Sequence, residues 1–228
     1  MKKILLILGV FFSISVCGQD RDKLIDWGVK GGFNSDICVI DELSFSGNRI
    51  DYTENTYRVG ISGSAFIRLN IKKVYLQLES GYNFSRGGLD FVFMNEDNEK
   101  NPTNLSWEFN SLSAPLLIGY HIIKESPYGL NFFIGPKVTT IFEAKNNFKI
   151  NTTNYPLNFD FKQFNYSMVC GVGLNISGLF FDFRYDFGLT PILNNITYST
   201  PIDSKDPFGK IELKNRMNSI RFSLGYIF

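Results

Sequence analysis

The sequence predicts an all-β fold, an eight-stranded antiparallel up-and-down transmembrane β-barrel. Three observations carry this expectation. Apolar and polar residues alternate with period two in segment after segment, as in strands with two unlike faces. Long and short connections between those segments alternate strictly. The chain closes on S-I-R-F-S-L-G-Y-I-F, with Ile220, Phe222, Leu224, Tyr226 and Phe228 at two-residue steps.

Composition narrows the class. Of 228 residues, 44% are hydrophobic and 20% charged, which excludes a disordered chain. The 23 Phe and 11 Tyr favour strands over helices. A net charge of +1 gives a nucleic-acid partner no electrostatic support.

Lys2 and Lys3 precede an apolar run from Ile4 to Val16, then Cys17-Gly18-Gln19. This is the pattern of a secretory signal peptide, too short to cross a bilayer as a helix. Cleavage is expected after Gly18, leaving residues 1–18 as the signal and 19–228 as the barrel domain. Lipidation at Cys17 is the alternative, although Val16 stands where a lipobox usually has a small residue. Cys38 and Cys170 survive cleavage and form no disulfide framework.

Trp27, Val29, Gly31 and Phe33 share the first outward face. Val59, Ile61, Gly63, Ala65, Ile67 and Leu69 form the second, and Val74, Leu76, Leu78, Tyr82 and Phe84 the third. In the fourth segment, about residues 105–121, Leu112, Ala114, Leu116, Ile118 and Tyr120 share a face. Trp107 and Phe109 are out of phase with them, which a bulge near Ser111 would repair. Pro115 marks this segment as an edge or bulged strand. Leu130, Phe132, Ile134, Pro136, Val138, Thr140 and Phe142 make the fifth face. Tyr166, Met168, Cys170, Val172, Leu174 and Ile176 make the sixth, and Leu179, Phe181, Phe183, Tyr185, Phe187 and Leu189 the seventh. The closing segment is the eighth.

Connections near residues 70–72, 122–129 and 177–178 are short, whereas 36–56, 85–104, 144–164 and 190–215 are long and polar. An up-and-down meander gathers the long ones at one end. Short periplasmic turns and long extracellular loops are the rule in outer-membrane barrels. An even strand count returns both termini to the periplasmic side. The last strand must pair with the first, because lipid leaves no backbone group unpaired.

Alternation assigns Lys30, Arg58, Arg68, Lys73, Glu79, Lys137, Glu143, Asp182, Arg184, Asp186 and Arg221 to the lumen. Eight strands leave room only for side chains, so these charges are expected to pair as a polar core. A narrow ion path is the competing reading; a porin would need more strands.

The closing Phe222, Leu224, Tyr226 and Phe228 resemble the signal that barrel-assembly machinery reads on bacterial outer-membrane proteins. A-P-L-L-I-G-Y at 114–120, F-F-I-G-P at 132–136 and R-Y-D-F-G-L-T-P-I at 184–192 resemble the PorT-like outer-membrane barrels of Bacteroidetes. That resemblance implies the barrel fold. Its namesake serves a secretion and gliding apparatus, so secretion-apparatus proteins become candidate partners beside outer-membrane lipid and lipopolysaccharide. Most members have no assigned role.

No phosphate-binding glycine pattern, zinc spacing or cofactor motif is present. Outer-membrane enzymes place a His with acidic or Ser partners at the outer rim, whereas the single His121 is expected by a periplasmic turn. Asp36, Asp41, Glu42, Asp51, Glu54, Asp90, Glu96, Asp97 and Glu99 are expected as solvated loop acids, with calcium bridging to lipopolysaccharide as the alternative. The expected role is non-enzymatic, through four long loops. The alternatives are an outer-membrane enzyme acting on lipid or peptide, and a soluble ligand-binding barrel, which would need a polar exterior.

Overall fold

The computed structural model describes residues 23–45, 48–49, 53–94, 100–125, 127–150, 153–155, 157–198 and 211–228. The expected signal peptide lies outside them. Eight long strands among these residues form the meander: β1 (Ile25–Phe45), β2 (Val59–Ile71), β3 (Val74–Met94), β4 (Lys100–Glu125), β5 (Tyr128–Ile150), β6 (Phe164–Ile176), β7 (Leu179–Gly188) and β8 (Ile211–Ile227). Each pairs antiparallel with its sequence neighbour, and β8 returns to β1, so the sheet closes.

The seam runs from Gly28 opposite Ile227 to Phe45 opposite Ile211, with one register shift between Ile40 and Glu42. Phe228 prolongs it: its N–H donates to the Trp27 carbonyl at 2.8 Å, and its ring stacks on Trp27 at 4.1 Å. Both ends of the ring's path thus meet at the short-turn end. Two of the tight turns there use left-handed backbone, with φ of 57° at Lys72, 46° at Ser177 and 88° at Gly178. Successive positive φ values at Ser177-Gly178 suit a two-residue hairpin between right-twisted strands.

The outward faces are those the alternation assigns. Phe33, Val59 and Phe222 are 63%, 63% and 57% exposed, and large apolar side chains from all eight strands stand out beside them. A soluble domain does not present such a continuous apolar girdle. On a barrel in lipid it is the solvent-matched surface.

Three expectations need correction. β4 carries no change of phase: Leu105, Trp107, Phe109, Ser111, Ser113 and Leu117 all point inward. The irregularity near Ser111 sits across the ladder, where Asn110 opposes Glu143 and Ser111 opposes Ile141, so the extra residue is Phe142 of β5. Pro115 is in a strand paired on both sides, not at an edge. The ladder to β3 lapses between Leu78–Leu116 and Gly81–Ser113, which accommodates its missing N–H.

The long connections, third, are largely continued strand. β3 and β4 stay paired out to Met94–Lys100, and β4 and β5 out to Thr103–Ile150. Thr53–Tyr57 adds alongside β3. The strands range from 10 to 26 residues. β6 and β7 stop early, and Leu157–Phe161 pairs with Leu193–Tyr198 as a separate two-stranded sheet. In β3 the buried face at Ser85, Gly87 and Leu89 is of mixed polarity. Period-two contrast fades although backbone pairing continues.

Tyr75 lies across Gly119 inside the ring, where a Cβ would stand 2.1 Å from the aromatic ring. Gly119→Ala should therefore cost about 1–3 kcal/mol by overpacking. The check is the urea midpoint after refolding into detergent micelles; an unchanged midpoint would show that this contact does not constrain Tyr75.

Candidate functional site

The inward residues of alternate strands meet in layers. Nearest the ring's middle, Lys30 of β1 donates to Glu79 of β3 at 3.0 Å and to Asp182 of β7 at 2.9 Å. Arg184 of β7 grips Glu79 with Nη1 at 2.9 Å and Nη2 at 2.7 Å, and Asp182 with Nη2 at 2.6 Å. In an eight-strand ring β3 and β7 are opposite, so the Glu79–Arg184 fork spans the lumen. The four side chains are only 2–4% exposed. Two cations and two anions cancel, and the Phe133 ring lies 4.8 Å from the Arg184 guanidinium. Such a cluster is tolerable away from water because each charge has opposite-charge partners.

A second layer lies toward the ribbon end. Lys137 of β5 bonds Asp186 of β7 at 2.5 Å. Arg221 of β8 reaches the same carboxylate at 3.4 Å and Asn83 of β3 at 2.9 Å. Asn34 and Ser85 bond at 3.0 Å across β1 and β3. A cavity of about 60 Å³ adjoins this layer, lined by Asp36, Asn83, Lys137, Asp186 and Arg221 among others. Asp36 Oδ2, Asn165 Oδ1 and Ser167 Oγ are buried without hydrogen-bond partners among the described residues.

Further toward the ribbons the interior turns apolar. Leu89, Leu105, Trp107, Phe109 and Ile141 are buried there. Gly87 opposes Trp107, and a Cβ on it would fall 2.6 Å from the indole. The glycine makes room for the inward tryptophan.

Toward the short turns, Arg68 of β2 donates Nε to Gln77 at 2.6 Å and lies over the Tyr75 ring at 4.2 Å. Gln77 donates to Glu79, joining Arg68 to the central cluster. Tyr75 donates its hydroxyl to Asn131 at 2.8 Å.

Of the expected lumen charges, Lys30, Arg68, Glu79, Lys137, Asp182, Arg184, Asp186 and Arg221 thus occupy the interior. Three do not join them. Lys73 is exposed in the turn between β2 and β3. Glu143 is displaced to the outside by the extra residue at Phe142, where it bonds Asn110 at 2.7 Å. Arg58 precedes β2, half-buried, with no ion pair among the described residues. Asp36, expected as a loop acid, is buried on β1. Gln77, Asn83 and Asn131 were legible as inward by parity, but nothing local marks them as links between charges. Asp90 is half-buried on β3 and accepts a bond from Asn104. The side chains of Asp41, Glu42, Asp51, Glu54, Glu96, Asp97 and Glu99 lie outside the described residues.

A closed ring with an apolar girdle and an ion-paired core defines a bacterial outer-membrane β-barrel. The chain belongs to the family described as outer membrane protein beta-barrel domain, which matches residues 17–194. Among solved structures, the outer membrane protein OprG of Pseudomonas aeruginosa is similar, at 13% identity over 90% of this chain and 97% of that one, with a TM-score of 0.52. Ail, the attachment invasion locus protein of Yersinia pestis, aligns at 14% identity over 90% and 100% of the two chains, TM-score 0.40. Neisserial surface protein A aligns at 11% over 90% and 97%, TM-score 0.39. At these identities the likeness concerns the fold. A comparison with curated protein sequences returned no match.

Removing one member of the central cluster should be costly. Glu79→Gln leaves Lys30 and Arg184 sharing Asp182, an excess positive charge away from water. A loss of about 3–5 kcal/mol is expected. Lys30→Gln added to it restores neutrality and should recover part of the loss. Urea titration followed by tryptophan fluorescence reads both; an additive double variant would contradict the coupling.

Proposed function

We propose that this protein is a non-enzymatic, non-conducting outer-membrane barrel that works at the cell surface through its β-ribbons. One observation carries the reading: an ion-paired plug spans the lumen beneath ribbons that project from one end only. A lumen closed by Glu79 and Arg184 leaves binding to the ribbons. The ribbon end faces outward and the short turns face the periplasm, as in other barrels of this class. His121, buried near the β4–β5 turn, is then far from the outer rim, which favours a binding role over hydrolysis of surface lipid or peptide.

The partners of this reading are outer-membrane lipid and lipopolysaccharide around the girdle, and the assembly machinery at Phe222, Leu224, Tyr226 and Phe228. The PorT-like motifs at 114–120, 132–136 and 184–192 favour the finer assignment to Bacteroidetes secretion-apparatus proteins. Deletion of the gene would then leave cargo in the periplasm.

Two measurements test the reading. In planar bilayers the purified barrel should show no stepwise ion conductance; stable openings would sink the plug. On intact cells a membrane-impermeant maleimide should label Lys145→Cys, whose native side chain is 77% exposed on the β5 ribbon, and spare Lys124→Cys above the native-cysteine background. The reverse pattern would invert the orientation.

A further inference from the structure

The short-turn mouth of the lumen holds a cavity of about 90 Å³. Lys23, Arg68 and Lys124 line it against Asp26 and the terminal residue Phe228, together with Asn70 and His121. Asp26 accepts from Asn70 at 2.6 Å and keeps its negative charge, which the three cations outnumber. Lys23 and Lys124 are exposed at the rim, whereas Arg68 is 4% exposed.

Arg68 is the unusual group. Its Nε is used on Gln77, and its flat face rests on Tyr75 at 4.2 Å, with Phe66 at 5.5 Å. Nη1 and Nη2 have no acceptor among the described residues, and no carboxylate there comes within ion-pair distance. A guanidinium held flat by aromatic rings, with its outer donors uncommitted, has the fork that matches a carboxylate or phosphate bidentately. The stacking and the Gln77 bond fix its orientation beforehand, so little freedom is lost on binding.

We infer that this mouth is an oxyanion-binding site, in which Arg68 takes a carboxylate or phosphate group in a fork and Lys124 and Lys23 add charge at the rim. Facing the short turns, it is separate from the ribbons and does not depend on them. One source is a free or headgroup anion. The other is this chain's own Asp20 and Asp22, three and one positions before Lys23 with Arg21 between them.

The test is isothermal titration of inorganic phosphate into the full barrel domain in a neutral detergent, with folding checked by heat-dependent gel migration. The parent should bind, and Arg68→Gln should weaken binding about tenfold, the worth of a charge-assisted bond. Should Arg68→Gln fail to fold, Lys124→Gln at the rim is the second variant and should also bind more weakly. An Asp20→Asn/Asp22→Asn variant distinguishes the sources. Binding unchanged in it supports a free anion; binding gained or strengthened supports occupancy by the chain's own acids. The inference is overturned if neither the parent nor that variant binds phosphate, or if the folded Arg68→Gln or Lys124→Gln protein binds as tightly as the parent.

Discussion

Every backbone N–H and C=O in the apolar layer needs a protein partner, and a sheet provides that only by closing. The rest of the structure depends on this requirement. It makes the β1–β8 seam obligatory, extends it from Gly28–Ile227 to Phe45–Ile211, and ties Phe228 to Trp27 by a backbone bond and a ring stack. It also explains how Pro115 survives in the wall. A ring has no edge to which such a residue can retire, so the ladder lapses locally while the strand continues.

Closure sets the interior as well. A ring of eight strands encloses a space that side chains fill, and the polar half of each alternating strand must go there. Lys30, Glu79, Asp182 and Arg184 answer by mutual neutralisation, and the Lys137–Asp186–Arg221 group repeats the device one layer on. Near the ribbons a different filling takes over. Leu89, Leu105, Trp107 and Phe109 pack inside, with Gly87 accommodating the indole. The lumen is thus graded from aromatic, through ionic, to a cationic mouth at Arg68. The gradation places the closed section between two differently built ends.

Much of this was readable in the chain because parity is a local property. Val59, Ile61 and Ile67 face lipid, and Arg68 and Glu79 face inward, whatever the neighbouring strands do. Parity misled where the inside was not polar: Trp107 and Phe109 looked out of phase only because inward was equated with hydrophilic. It also misled at Glu143, where one extra residue at Phe142 reverses the facing of the next side chain. The ribbons escaped notice for a related reason. The buried face there mixes Ser85, Gly87 and Leu89, so no regular contrast in polarity marks it and the segment from residue 85 reads as a loop.

The sequence by itself determined the strand count, the lipid face, the short-turn end and eight of the eleven charges assigned to the lumen. Each comes from period two and connection length, which need no knowledge of distant residues. Only the tertiary structure decided which charges meet. Glu79 and Arg184 are 105 positions apart, and their encounter depends on the stagger accumulated around the closed sheet. The same stagger leaves Arg68 one bond short of the central cluster, with Gln77 between. Its outer donors therefore face the mouth rather than a carboxylate.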